Sequence, residues 1–154
     1  MKKVLLAVFA VCTISMSYAQ NATDEVEILR DLADAERKAL VSENMMLTDE
    51  ESKIFWPLYD AYRAEAREIG TEGIKIIEEF AENYETMDDA KAIQIMDSYF
   101  KNRAAATKVQ NDHRMKMQKV LPGKLVMRYM QIENKMNAII NFGLAAEIPL
   151  TIKE

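Results

Sequence analysis

An all-α fold follows from three features of this sequence. Apolar residues recur at three- and four-residue spacing through every long segment beyond residue 20. No stretch alternates with period two. The helix breakers are few, with 4 Gly and 3 Pro, and they punctuate or bend the periodic segments. The expected architecture is a four-helix, elongated hairpin-like domain with a kinked second helix and a long third helix.

The first segment is an address. Met1-Lys2-Lys3 is a positive n-region, residues 4–14 are an apolar run, and Ser17-Tyr18-Ala19 offers small residues at −3 and −1. Cleavage is expected after Ala19, giving a signal peptide over 1–19 and a single helical domain over 20–154. The apolar run is too short to span a bilayer comfortably, so no membrane span is expected in the mature chain. Cys12, the only Cys, leaves with the signal, and Phe9-Ala10-Val11 before it lacks the small residue expected beside a lipidated Cys. No disulfide can then brace the mature chain. Its length suffices for one core.

The first helix reads from Asn21 to Met46, with Val26, Leu29, Leu32, Ala33 and Leu40 on one stripe and Asn21 or Thr23 as its cap. The second starts in LTDEESKIFWPLYDAY, residues 47–62. Thr48 followed by Glu51 is a capping box, in which each residue satisfies the other's backbone N–H. Behind it Phe55, Leu58, Tyr59, Tyr62, Ala66 and Ile69 form a core stripe that Ile76, Ile77, Phe80 and Tyr84 continue. Trp56 and Pro57 lie beside this stripe. Pro57 removes the partner of the Lys53 carbonyl, so a kink is expected there, and Gly70 and Gly73 mark a second bend.

Thr86, with acids following, is expected to cap the third helix, which then runs without Pro or Gly to about Lys119. Ala92, Met96, Tyr99, Ala106, Val109, His113, Met117 and Val120 approximate its buried side. Pro122-Gly123 breaks it, with Pro122 in the first turn of a fourth helix. That helix buries Leu125, Tyr129, Ile132, Met136, Ile139 and Ile140, and Gly143 ends or loosens it before a tail containing Ile148-Pro149-Leu150.

Charge narrows the partners. The chain carries 20 Lys and Arg against 25 Asp and Glu, and losing two Lys with the signal makes the mature chain more acidic still. An acidic chain argues against nucleic acid. The charge is nonetheless divided: residues 20–100 hold 21 acids and 8 bases, whereas residues 101–135 hold 9 bases and 2 acids. Such asymmetry serves intramolecular complementarity, a dimer contact or an acidic partner.

No catalytic constellation is legible: GxSxG, HExxH, CxxC, a phosphate-cradling Gly loop and a calcium loop are all absent, so neither an enzyme nor a cofactor is expected. A metal pair is conceivable at His113 and Met117, four apart on one helix, although Arg114 and Lys116 beside them repel a cation. Five of the nine mature Met fall between 115 and 136, all but Met136 within the basic stretch. Met115, Met127 and Met130 sit where the pattern asks for polar side chains, among Lys108, Lys116, Lys119 and Arg128. Flexible, polarisable side chains ringed by cations suit varied apolar and acidic partners. Met as plain helix former, or as filler of a dimer seam, is the competing explanation.

Leu47-Thr48 opening the second helix of a secreted four-helix chain resembles the LTxxQ-motif periplasmic proteins of the Spy and CpxP type. Glu51 stands where that motif has Gln, and Leu121-Pro122-Gly123-Lys124-Leu125 replaces the second copy expected before the last helix. FWPLYDAY at 55–62 with QIENKMNAIINFGLA at 131–145 is also similar to a group of secreted bacterial proteins. The resemblance implies a cradle-shaped, antiparallel homodimer acting as an ATP-independent chaperone or envelope-stress modulator on unfolded or envelope proteins. A metal-responsive periplasmic sensor domain and a structural envelope protein without client binding are the alternatives.

Overall fold

The structure, a computed structural model, describes the backbone of residues 19–153 and side chains from residue 31 onward. Except for Ala19, the expected signal peptide lies outside the described residues, as do the side chains of Val26 and Leu29. The described chain is all-α: α1 spans Ala19–Met45, α2 Asp49–Asn83, α3 Asp89–Gln118 and α4 Gly123–Glu147, with no strand among the described residues.

Local chemistry explains most boundaries. α1 is already helical at Asn21 and Thr23, so neither caps it. Just past its end Met46 adopts a left-handed backbone (φ 52°), the conformation that commonly closes a helix. The capping box opens α2: the Thr48 hydroxyl accepts from the Glu51 N–H at 3.3 Å, and the Glu51 carboxylate accepts from the Thr48 N–H at 2.9 Å. Asp49, Glu50 and Glu51 then line the positive end of the helix dipole. α2 runs unbroken through Pro57, Gly70 and Gly73. Pro57 is exposed, which lets water reach the carbonyl it leaves unpaired.

Three further boundaries differ from the sequence expectation. The cap of α3 is Asp88, whose carboxylate accepts from the Lys91 N–H at 2.7 Å. Thr86 is engaged in the turn closing α2, its N–H donating to the Asn83 carbonyl at 3.1 Å. Pro122 precedes α4, its carbonyl accepting the first bonds from the N–H groups of Leu125 and Val126 at 2.9 and 3.1 Å. Gly143 does not stop α4, which continues to Glu147.

Two compact units partition the described chain: residues 19–46 with 131–147, and residues 47–130 with 148–153. In the second, α2 and α3 pack side by side. Its core is an aromatic cluster in which Phe55 meets Tyr129 edge-on at 5.1 Å and stacks on Tyr59 at 5.9 Å. Tyr62 approaches Tyr129 at 6.3 Å and His113 at 5.3 Å. Trp56, half-buried, closes one side with its ring centroid 5.1 Å from Phe55. Each ring withdrawn from water contributes on the order of 1.5–3 kcal/mol. Ile76, Ile95, Met117, Leu121 and Val126 complete the buried set.

The first unit buries Val41 and Met45 from α1 and Glu133 from α4. Arg37 forks onto Glu133, with Nη2 donating at 2.6 Å and Nε at 3.3 Å, and Nη2 also reaches Asn137 Oδ1 at 2.7 Å. The α1 stripe is therefore displaced by one residue: Leu32 and Leu40 are exposed, and Arg37, Val41 and Met45 face inward. Ile139 and Ile140, expected in the α4 core, are exposed as well.

Candidate functional site

The face that α3 turns toward α2 is partly polar. At 100° per residue, Ile95, Ser98, Asn102, Val109, His113 and Met117 fall on one line. Each of them is buried or half-buried. Asn102 Nδ2 donates to the Ile69 carbonyl at 2.9 Å, and its Oδ1 lies 3.4 Å from where a Cβ on Gly73 would sit. A methyl at Gly73 would just touch that amide. Nearer the turn, Lys91 pairs with Glu79 at 3.0 Å and Gln94 donates to the same carboxylate oxygen at 3.3 Å.

With polar residues in the seam, the large apolar ones of the first half of α3, Ile95 excepted, point outward. Ile93, Met96 and Phe100 are 55, 51 and 60 % exposed, and Met115 lies further along the same face at 43 %. Ala104, Thr107 and Asn111 bridge between them, so the strip follows a 3-4-4 spacing that repeats every eleven residues. That repeat keeps nearly in phase with a straight helix, and residues 93–119 cover roughly 40 Å. Met96 and Tyr99, assigned by apolar periodicity to the buried side, are thus both outside, as are Ala106 and Val120.

Cations border the strip. On the helical wheel Lys101, Lys108 and Lys119 lie along one edge, and Arg103 and Arg114 along the other. Lys108 is engaged with Asp112 at 2.6 Å; that hydrogen bond holds the Lys108 ammonium above its usual pKa and the Asp112 carboxyl below its own. Arg103 donates to the Tyr99 hydroxyl at 3.0 Å and sits 5.6 Å from the same ring's centre. Arg114 is held by neutral amides, through Nε and Nη2 to Asn111 Oδ1 and through Nη1 to Gln118 Oε1. Among the described residues, no carboxylate lies within ion-pairing distance of Lys101, Arg103, Arg114 or Lys119.

The other residues singled out from sequence are dispersed. Met127 is 62 % exposed on α4 and Arg128 is exposed, whereas Met130 is half-buried. Lys116 leaves the strip and lies 3.8 Å from Glu65. His113 and Met117 are 1 % and 0 % exposed, both inside the α2–α3 core. His113 Nε2 meets Glu65 Oε1 at 3.0 Å, so Nε2–H donates to that carboxylate, and Nδ1 is buried without a hydrogen-bond partner. The bond from His113 holds the Glu65 carboxyl below its ordinary value, with Lys116 assisting. The described residues contain no group of three or more His, Cys, Asp or Glu side chains arranged for a metal ion.

Ile93 and Phe100 escape the sequence reading because it seeks exposed apolar residues only among the Met of the basic stretch, which begins at Lys101. The eleven-residue recurrence of exposed positions, with Asn102 on the opposite side, is the signal that would have found them. No protein-family model, curated protein or solved structure matches the chain.

Proposed function

We propose that this chain is an extracytoplasmic protein-binding module that captures unfolded or envelope proteins without ATP, in the manner of a chaperone or stress modulator. One observation carries the reading: α3 commits Ser98, Asn102 and the Lys91–Glu79 pair to its contact with α2 and leaves Ile93, Met96, Phe100 and Met115 in water. Folding alone favours the reverse arrangement, because each of these side chains, about half exposed, forgoes roughly half of the 1.5–3 kcal/mol that full burial brings. A strip kept exposed against that gradient suits a surface with a partner. The signal-like residues 1–19 supply the compartment. Met96 and Met115 add adaptable contacts for partners of varied shape.

The test is light scattering of an aggregating client with and without the mature protein. Suppression near stoichiometric amounts is expected. The variant Ile93→Gln, Met96→Gln, Phe100→Gln should retain the wild-type fold, since exposed substitutions shift stability by about 0.5 kcal/mol or less each. Its suppression should fall sharply. Unaltered suppression by this variant, once a melt has shown it folded, would remove α3 from the reading.

A further inference from the structure

We infer that the outward face of α3 is a two-part docking strip for a polypeptide segment with one apolar end and one acidic end, taken in a single direction. The inference rests on the protein-binding reading and names the class of segment bound. Its two parts are separate along the helix. Ile93, Met96 and Phe100 occupy the first three turns, where the charges on the same side of the helix are the acids Asp89 and Asp97, Lys91 being turned to the α2 seam and paired with Glu79. Lys101, Arg103, Arg114 and Lys119 occupy the remaining length, roughly 27 Å at the helical rise, where the one acid that residues 101–119 themselves carry, Asp112, is bonded to Lys108, and Glu65 of α2 is taken up by His113 and Lys116. An acidic end laid over 93–100 would meet like charge. Laid over 101–119 it meets cations whose hydrogen bonds, where they have any, go to neutral groups, namely the Tyr99 hydroxyl and the Asn111 and Gln118 amides. Charge complementarity thus fixes both the composition of the segment and its polarity on the helix.

Three fluorescein-labelled peptides of about 25 residues, the length that matches the strip at helical rise, provide the test by anisotropy. The first carries Leu at 3-4 spacing at one end and Glu-rich sequence at the other; the second replaces Glu with Lys; the third replaces Leu with Ser. The first should bind at least tenfold more tightly than either control, and its affinity should fall as salt is raised. The quadruple variant Lys101→Gln, Arg103→Gln, Arg114→Gln, Lys119→Gln should weaken it tenfold or more and flatten the salt dependence, with an unchanged helical melt. Should that variant unfold, Lys101→Gln with Lys119→Gln, both exposed, gives the same reading with a smaller loss. Equal binding of the Glu and Lys peptides overturns the acidic class and leaves protein binding standing. No peptide binding with client suppression intact moves capture off α3. Loss of both overturns the two readings together. Preferential co-sedimentation with phosphatidylserine–phosphatidylcholine vesicles, abolished by the same variant, assigns the strip to a lipid surface and overturns the peptide proposal.

Discussion

At Glu65 a single side-chain contact links ionisation to folding. The hydrogen bond from His113 Nε2 lowers the Glu65 pKa from its reference of 4.5, so the folded state binds that proton less readily than the unfolded chain does. The resulting stabilisation is in place above pH 4.5 and is lost as pH falls through the lowered folded value. Glu65→Gln should therefore melt below wild type near neutral pH, with the two midpoints converging in acid as wild-type Glu65 takes up its proton. A difference that stayed constant across the titration would show that the charge of Glu65 does not act on folding. His113 itself was legible from sequence only as a lone helical His of ambiguous use. Its burial against Tyr62 and its pairing to a residue 48 positions away are tertiary facts that no spacing encodes.

Helices reveal themselves through local chemistry and conceal themselves where chains meet. The Thr48–Glu51 box could be read directly because its partners are three residues apart. Thr48→Ala should cost about 1 kcal/mol, read as a lower urea midpoint with an unchanged slope. The α2 stripe of Phe55, Tyr59 and Tyr62 was equally plain, since every large apolar residue on it is used. α3 was misread for the opposite reason: its contact line includes Ser98 and Asn102, and the choice depends on the Ile69 carbonyl and on Gly73 across the seam. The two glycines of α2 separate these influences. Gly70 has nothing within 4 Å of an added Cβ, so Gly70→Ala should raise stability by roughly 0.5–1 kcal/mol through helix propensity. At Gly73 the same methyl would meet Asn102 Oδ1 at 3.4 Å, and the gain should be smaller or reversed. Equal gains at both would show that the Asn102 contact yields freely.

Across the whole molecule, the division between an acidic first part and a basic stretch at 101–135 was open to counting, and it marks where α3 gathers its cations. The grouping into two units was not, because α4 contributes to both without any break in its periodicity. Among the described side chains of the unit of residues 19–46 and 131–147, the buried apolar ones are Val41 and Met45, and beside them stands a charged fork: Arg37, 10 % exposed, on Glu133, fully buried. Nothing in the local sequence marks Glu133 for burial, since an unpaired buried carboxylate is prohibitive and its cation lies 96 residues away. Removing one partner should therefore be far worse than removing both. Arg37→Ala strands the carboxylate and should cost roughly 3–5 kcal/mol, whereas Arg37→Met with Glu133→Leu should come within about 1 kcal/mol of wild type or exceed it. Hydrogen exchange locates the effect: amides of residues 31–45 and 131–147 should lose protection in the single variant and recover it in the double, with those of α2 as the internal reference. If the single variant keeps its protection, water reaches Glu133 in solution and the fork contributes little to holding α1.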